Sequence, residues 1–597
     1  MTFADTRSIL WRQWAHIWPN VVYRVWAQAS AASGGSSGKV SEQSESNQHL
    51  ELTKRLFNGQ ISRRSFIRQA VVLGISTPAI FAAIEACTPA AQTATGKKAQ
   101  LVIALDSDID TLDPNDFKSD GGYLSVAQVY ETPVTSELKA AANGALVATG
   151  NMIPMVASSF TVSSDTTTYT FKLRPNVKFS NGNVVTADTL VYSLRRALLR
   201  PGVSSFMMSL LGIKDPSQFT AVDSQTLQIN LGAPNPMATR ILPLTILPII
   251  DPATTQAQAT TADPWAGKFY QTKMLGTGPY IQGQTWQSGS QYQFSPNPLY
   301  WDPTKVKNSG VLARYVPAPE DRMLLLQRGD VDLAFSLPSS NLASLKSDSS
   351  LKIWQFPVPN VNYMAMNQII KPFDDVRVRQ AIAWAMPYDT FVPNVLHGFG
   401  RPIQSIIPEG MPTFKDTYSY TTDTAKAQSL LQAAGLGSGF STTLGVSVSR
   451  AEDQDAAVWI QSSLAKIGIQ VEIDKLSDAD FRKKQAADGL PMFLDYWYSW
   501  VNDPYYQLYF LLYSKAAGTN LTHYNNPEVD QLIDTGRYNP DPVQREAGSQ
   551  RIQQIFAQEV PRVLLYSQDF VVATRKEVSG VNVYPDQLLR FWELAKG

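Results

Sequence analysis

Residues 493–513 gather the side chains best suited to holding a small molecule. Ten aromatics fall there, among them Trp497, Tyr498, Trp500, Tyr505 and Tyr509, with Asp495, Ser499, Asn502 and Asp503 interleaved. Tyrosine and tryptophan combine a large apolar face with a polar handle, which suits a cleft wall as well as a core. Core packing accounts for about half of them. Residues 497–504 lack strand alternation and carry an Asn-Asp-Pro turn signal, so they read as a pocket-lining loop. Trp497, Tyr498 and Trp500 are its candidate ligand contacts.

Side chains that would transform a substrate are scarce. No phosphate-cradling Gly-x-x-x-x-Gly-Lys-Ser/Thr loop and no His-Glu-x-x-His occurs. Gly435, Gly437 and Gly439 approach a dinucleotide fingerprint, but Phe440 stands at its last glycine and the run follows a helix, so it reads as a helix stop. The one Gly-x-Ser-x-Gly match, residues 34–38, lies in a Ser/Gly-rich linker. Of four histidines only His397 and His523 lie beyond residue 100, both in turn-like sequence, which is thin material for a triad or a metal site. The pairs Asp374-Asp375 and Asp108/Asp110 read as caps and turns. No catalytic residue, metal or cofactor is expected.

The 597 residues imply more than one lobe, and 44% apolar content suffices for sizeable cores. Residues 1–96 carry a net +4 and the remainder −4, a balance that does not favour nucleic acid. Arg63-Arg64, Phe66-Ile67 and an apolar stretch ending at Ile84 match a twin-arginine export signal. Cys87, the single cysteine, follows at once. That is the place of the lipidated cysteine in a lipoprotein signal, although Glu85 departs from the small or apolar residue expected there. Simple cleavage and secretion is the alternative. Residues 1–61 read as an extension before the signal, with translation beginning later as the simplest account, and residues 88–98 as a tether.

Elements alternate along the body. Residues 99–104 form a buried strand. Tyr169, Phe171 and Leu173 alternate before an Asn181-Gly182 turn signal, and Thr186 caps a helix with Leu190, Val191, Leu194 and Leu198 on one face. Leu444, Val446 and Val448, a helix through Ile460 and Leu464, and Ile469, Val471 and Ile473 make a βαβ unit, hence a parallel pair.

Several segments in order resemble one family, the extracytoplasmic solute-binding proteins of peptide and nickel ABC importers. They are residues 110–114 (Asp110-Thr111-Leu112-Asp113-Pro114), Tyr169 through Gly182 with Val185-Thr186-Ala187-Asp188, Gly276-Thr277-Gly278-Pro279-Tyr280, Asn297-Pro298-Leu299-Tyr300-Trp301, Gln327 through Asp332, Pro372 through Ile382, Tyr524 through Asp530, and Pro561 through Tyr566. The resemblance spans about residues 100–595. It implies an α/β, periplasmic-binding-protein-like fold with mixed sheets: two lobes joined by hinge strands, plus an extra subdomain on the first lobe. Its motif positions place the lobe I core at 99–133, 276–360 and 563–597, the subdomain at 134–275 and lobe II at 361–562.

The resemblance also implies function: a non-enzymatic, monomeric receptor outside the cytoplasm, lipid-anchored through Cys87, that takes a peptide or similar small solute between its lobes and hands it to ABC permease subunits. A secreted hydrolase on the same scaffold, or a sensor without transport, is the alternative. In peptide-binding relatives an Asp in a Trp-x-x-Asp run meets the ligand's α-amine. Trp500-Val501-Asn502-Asp503 fits that spacing, whereas alignment on Asp503-Pro504 puts Trp500 at the amine's place. Tyr363, on the strand entering lobe II, and Tyr123, after the Asp-Pro turn, are candidates to face the cleft, with core packing as the alternative for both.

Overall fold

The computed structural model describes residues 98–516 and 518–597. The expected export signal at Arg63 and Arg64, the expected lipidation site Cys87 and nearly all of the expected tether lie outside them. Among the described residues no helix is long and apolar enough to cross a membrane.

Strand β1 (Leu101–Leu105) has Leu101, Ile103 and Leu105 buried and sits inside a seven-stranded sheet. It pairs in parallel with Val311–Tyr315 on one side and Leu333–Ala334 on the other. The Asp113-Pro114 turn then leads into helix α1 (Asp120–Val129), capped by Ser119 Oγ, which accepts from Gly122 N. The extra subdomain follows. Strand β2 (Leu146–Pro154) joins a three-stranded sheet whose third member, Asn582–Val583, comes from the chain's tail. A four-stranded sheet holds Tyr169, Phe171 and Leu173 inward. Thr186 and Thr189 form the capping box of helix α2 (Ala187–Leu199).

The second sheet has six strands. Its centre is β3 (Asn360–Met366), flanked by β4 (Met492–Tyr498) and β5 (Arg562–Gln568), both antiparallel to it. The βαβ unit is present: Phe440–Ser447 and Ile469–Leu476 are parallel neighbours, with helix Ala451–Ala465 between them in sequence. Helix α3 (Pro504–Leu512) leaves β4 after a five-residue loop, 499–503. The chain passes between the sheets twice, through residues 357–359 ahead of β3 and through Asp569 behind β5. The second passage corrects the expected boundary at 563, because β5 pairs with β3 through residues 562–566 and with Gly400–Arg401 through Ser567 and Gln568. The run Val563-Leu564-Leu565-Tyr566 is buried throughout, and an apolar run of that kind does not say which sheet it joins.

Several family-like motifs meet at one carboxylate. Glu131, just past α1, is fully enclosed. Thr277 Oγ1 donates to it at 2.8 Å, Tyr300 OH at 3.1 Å and Trp301 Nε1 at 3.1 Å. A Cβ at Gly276 or Gly278 would come within 2.0 or 2.6 Å of the Val129 carbonyl oxygen, so this close backbone crossing requires glycine. Asn297 Nδ2 donates to Gly278 O at 2.9 Å, locking the second motif onto the first.

Burial pushes the Glu131 carboxyl up to about 7, against the lowering effect of its three donors. Its folded value lies above the unfolded one, so its stabilising contribution is complete below about pH 4.5 and is lost as pH rises through about 7. The loss amounts to about 3 kcal/mol by pH 8. Glu131→Gln, which mimics the neutral acid, should therefore flatten the fall of the thermal midpoint between pH 5 and 8 relative to wild type. Parallel melting-versus-pH curves for the two proteins would remove this role from Glu131.

Candidate functional site

Both lobes send aromatic side chains to a common seam. On the lobe I side, the Asp-Pro turn and the first turn of α1 supply Phe117, Asp120 and Tyr123. Phe117 and Tyr123 stack with centroids 4.5 Å apart. The Tyr123 hydroxyl donates to Asp586 Oδ2 at 2.9 Å, and Asp586 pairs with Arg590 at 2.7 Å; the ring is 2% exposed, packed between Phe117 and Trp500, so the core-packing alternative holds for Tyr123 and it backs the seam rather than lining it. On the lobe II side, the end of β4 and the 499–503 loop supply Tyr498 and Trp500. Trp500 lies 5.4 Å from the Tyr123 ring, and the Tyr498 hydroxyl is 3.5 Å from Asp120 Oδ1. Trp497 stacks on Phe510 of α3 at 4.6 Å, and Phe510 meets Phe206 of the subdomain at 5.5 Å.

Asp120 is exposed to this crevice and has no ion-pair partner among the described residues. The protein packed around it raises its pKa, and the charge of Asp106 adds to the rise, while the Tyr498 hydroxyl opposes it. Tyr496, next on the same strand, stacks on Tyr498 and remains 39% exposed. Behind it, Arg450 and Arg482 each reach Asp495 at 2.8 Å. Burial works against ionisation of Asp495, yet the two guanidinium groups hold its carboxyl below the usual range. These arginines are thus occupied, and the free charge at the seam is negative.

Two of the expected contacts lie elsewhere. Asp503 is only 6% exposed. One of its oxygens caps α3 by accepting from Tyr505 N at 2.8 Å, and the other is ion-paired with Arg545. Neither is available to a ligand ammonium. The Asp503-Pro504 pair is the N-cap and first residue of a helix, and the Asn-Asp-Pro turn signal already contained that reading. Tyr363 is 5% exposed and faces the lobe II core, its ring over the Arg562 guanidinium at 5.0 Å. Strand β3 is buried on both faces, so alternation along it has no cleft side to select. The pocket-lining loop is also shorter than expected, because Trp497 and Tyr498 still belong to β4.

Sequence reading missed Asp120, whose neighbours in the chain signal only a helix start. It also missed the contact between Ser339 and Glu452, in which Ser339 N and Oγ donate to Glu452 Oε1 at 2.9 and 2.8 Å and hold a lobe I helix against a lobe II helix. The opposite side of the 499–503 loop, through Ser499 and Asn502, lines a cavity of about 510 Å³ shared by the subdomain, the first passage between the sheets and lobe II. Among the described residues no group of three or more His, Cys, Asp or Glu side chains is placed to hold a metal. His523 Nε2 lies 2.6 Å from Asp488 on the outer surface, away from the seam.

Two α/β lobes, joined by a double passage of the chain and meeting on aromatic rings from both sides, define a protein that captures a small solute by enclosing it. The chain belongs to the bacterial extracellular solute-binding proteins, family 5, whose family model (family 5 Middle) matches residues 151–519. It is 30% identical over 429 residues to the probable D,D-dipeptide-binding periplasmic protein DdpA of Escherichia coli K12, covering 71% of this chain and 81% of that one. It is 27% identical over 527 residues to the glutathione-binding protein GsiB of Shigella boydii, covering 86% and 96%. The fold matches the Pseudoalteromonas sp. SM9913 dipeptide-binding protein in complex with Met-Leu, with a TM-score of 0.73 at 20% identity over 83% of this chain and all of that one. It also matches Helicobacter pylori DppA in complex with the peptide STSA, with a TM-score of 0.70 at 24% identity, covering 83% and 98%. The family and these neighbours are binding proteins.

The assignment of Asp503 to the frame of lobe II makes a direct prediction. Asp503→Ala removes a helix cap and leaves Arg545 buried without its partner, which should cost about 3–5 kcal/mol. Urea unfolding should show a loss of that size, and an unchanged midpoint would remove Asp503 from the frame of lobe II.

Proposed function

We propose that this chain is the extracytoplasmic receptor of an ABC importer, closing its two lobes on a peptide or peptide-like solute and presenting it to the permease. The observation that carries this reading is the aromatic seam, to which each lobe contributes rings that the other completes. Tyr498 and Trp500 are the lobe II contacts for the solute, with the buried Tyr123 ring behind Trp500 and the stacked Trp497 as their support. The relatives named for a dipeptide and for glutathione suggest the solute class.

A peptide brings an ammonium that needs a carboxylate once water is excluded. Asp503 is committed to Arg545, and Asp120 stands free beside aromatic faces, which themselves attract cations. We therefore assign the ammonium to Asp120. Purification of the full chain without denaturation, followed by native mass spectrometry, should release a peptide-sized mass on unfolding. Asp120→Asn should weaken peptide binding by at least tenfold in calorimetry while leaving the melting temperature within about 2 °C, as expected for an exposed side chain. Unchanged affinity in that variant would return the ammonium to another group, and a co-purified solute that is not a peptide would overturn the solute class.

The receptor acts as a monomer held at the outer face of the cytoplasmic membrane by lipid on Cys87. The order of Arg63-Arg64, apolar stretch and cysteine supports this reading. Stable anchoring takes two lipid chains, or one chain with a polybasic patch. Expression of Cys87→Ser should move the protein from the membrane fraction to the soluble extracytoplasmic fraction. Equal partition of the two proteins would leave simple cleavage as the processing route.

A further inference from the structure

The turn His397-Gly398-Phe399-Gly400 lies in the lobe II part of the sequence, yet its ring leaves that lobe. Phe399 is buried in a core cluster with Leu326, Leu337, Leu342, Leu345 and Ala573, and every other member of the cluster belongs to lobe I. The backbone is shaped for this excursion. His397 and Gly398 have φ of +49 and +85. A Cβ on Gly400 would stand 2.3 Å from Leu396 Cδ1 and 2.7 Å from Ser567 O, so the return into lobe II requires glycine. Lobe I supplies donors to the turn. Lys346 Nζ donates to His397 O at 3.1 Å and lies 4.2 Å from the centre of the Phe399 ring, and Gln355 Nε2 donates to Gly398 O at 3.2 Å.

The same turn binds both passages between the sheets. Gly400 and Arg401 pair with Gln568 and Ser567 at the end of β5, and Asp569 N donates to Phe399 O at 3.1 Å. The Arg401 guanidinium takes one partner from each passage, Asp569 Oδ1 at 2.6 Å and Val358 O at 2.9 Å. Gln355 Nε2 also donates to Asp569 Oδ2 at 2.7 Å. The lobe I helix Ser339–Leu345 is therefore gripped by lobe II at both ends. Its start meets Glu452, whose Oε1 also accepts from Gln568 Nε2 at 3.1 Å, and its C-cap, Lys346, meets the turn.

We propose that Phe399 is the pivot of the hinge, a knob of lobe II seated in a lobe I socket, about which the lobes rotate. Two strands crossing side by side resist stretching but leave bending and twisting open. A third attachment that is apolar and enclosed selects among those motions. Small rotations about a seated ring keep its surface covered, whereas sliding or twisting withdraws it and exposes that surface to water. Arg401 and Gln355 hold the two passages to the knob, so passages and knob move as one unit. Hinges of this kind place the change in a few residues while the lobes stay rigid. A restricted approach brings Tyr498 opposite Asp120 each time the lobes close. The proposal rests on closure of the lobes and on no solute class, so a solute that is not a peptide leaves it standing.

The test is the width of the interlobe distance distribution, read by double electron–electron resonance on the full chain without added solute. Cys87→Ser removes the single native cysteine, and spin labels go on Leu324→Cys in lobe I and Val543→Cys in lobe II, both exposed positions. Phe399→Ala should at least double the width measured with Phe399 in place, and Phe399→Leu should keep most of the original width. Val311→Ala thins the lobe I core outside the socket. It should leave the width unchanged, which separates a loosened hinge from a loosened core. Should Phe399→Ala not fold, the double variant Gln355→Ala, Arg401→Gln takes its place, because it removes the ties without touching the apolar cluster, and it should broaden the distribution. An unchanged width in Phe399→Ala, or in the double variant where it stands in, overturns the pivot. Equal broadening by Val311→Ala overturns it as well.

Discussion

Asp113 and Arg196 form an ion pair in which neither side chain reaches solvent, and the lobe I half of the site hangs from it. The two guanidinium nitrogens reach the two carboxylate oxygens at 3.0 and 2.8 Å, and Arg196 Nε donates to Trp265 O at 3.1 Å. Desolvating two charges is expensive, and the pair holds only because its geometry is bidentate and its remaining donors are satisfied. Arg200 adds a contact to the same carboxylate at 3.0 Å. Next along the chain, Asn115 Nδ2 donates to Ser204 Oγ at 2.8 Å on the helix that carries Phe206. The turn between β1 and α1 is thereby fixed to the subdomain at two successive points. Phe117, Asp120 and Tyr123 follow within ten residues, so their placement at the seam is inherited from a charge pair that never meets the solute.

Lobe II solves the same problem with different groups. Its loop is held at one end by Ser499 Oγ, which donates to Gln507 Oε1 at 2.6 Å, and at the other by the Asp503–Arg545 pair. Three residues are left between these anchors. Trp500 turns to the seam, Val501 is buried, and Asn502 borders the cavity. A short loop fixed at both ends loses little entropy when it meets a ligand. The lobes also touch directly through Ser339 and Glu452. A solute can favour the closed arrangement only by binding it better than the open one, and rings contributed from both sides give it that differential.

Periodicity and punctuation carried much of the fold into the sequence. Thr186, the Tyr169-Phe171-Leu173 alternation, the βαβ unit around Ile460 and the helix stop at Gly435, φ +78, all stand where local physics puts them. The motifs were legible as motifs, but most serve the frame. Asp375 caps a helix by accepting from Arg377 N at 2.8 Å. Tyr524 and Asn526 both donate to Glu559, at 2.6 and 2.9 Å. What the sequence could not show depends on partners remote in the chain. Arg545 is distant from Asp503, and nothing near Asp503 announces that it is consumed. The passage at Asp569 was hidden because an apolar strand is the same in either sheet. Asp120 was hidden for the opposite reason: an acidic residue opening a helix is so ordinary that its position on the wall of a crevice leaves no mark.

The commitment of Asp503 has a consequence for how recognition and motion are coupled. If one lobe supplied both the rings and the counter-charge, a solute could be held by that lobe alone and closure would add little. Here the rings of Tyr498 and Trp500 belong to lobe II, while the unpaired carboxylate beside them, Asp120, belongs to lobe I. Attraction between a cation and a carboxylate strengthens as water is excluded, so its full value is reached only when the lobes are together. On the proposed assignment of the ammonium to Asp120, charge recognition falls to the lobe facing the rings, and the closed form is the one in which a cationic solute group has both its counter-charge and its aromatic walls.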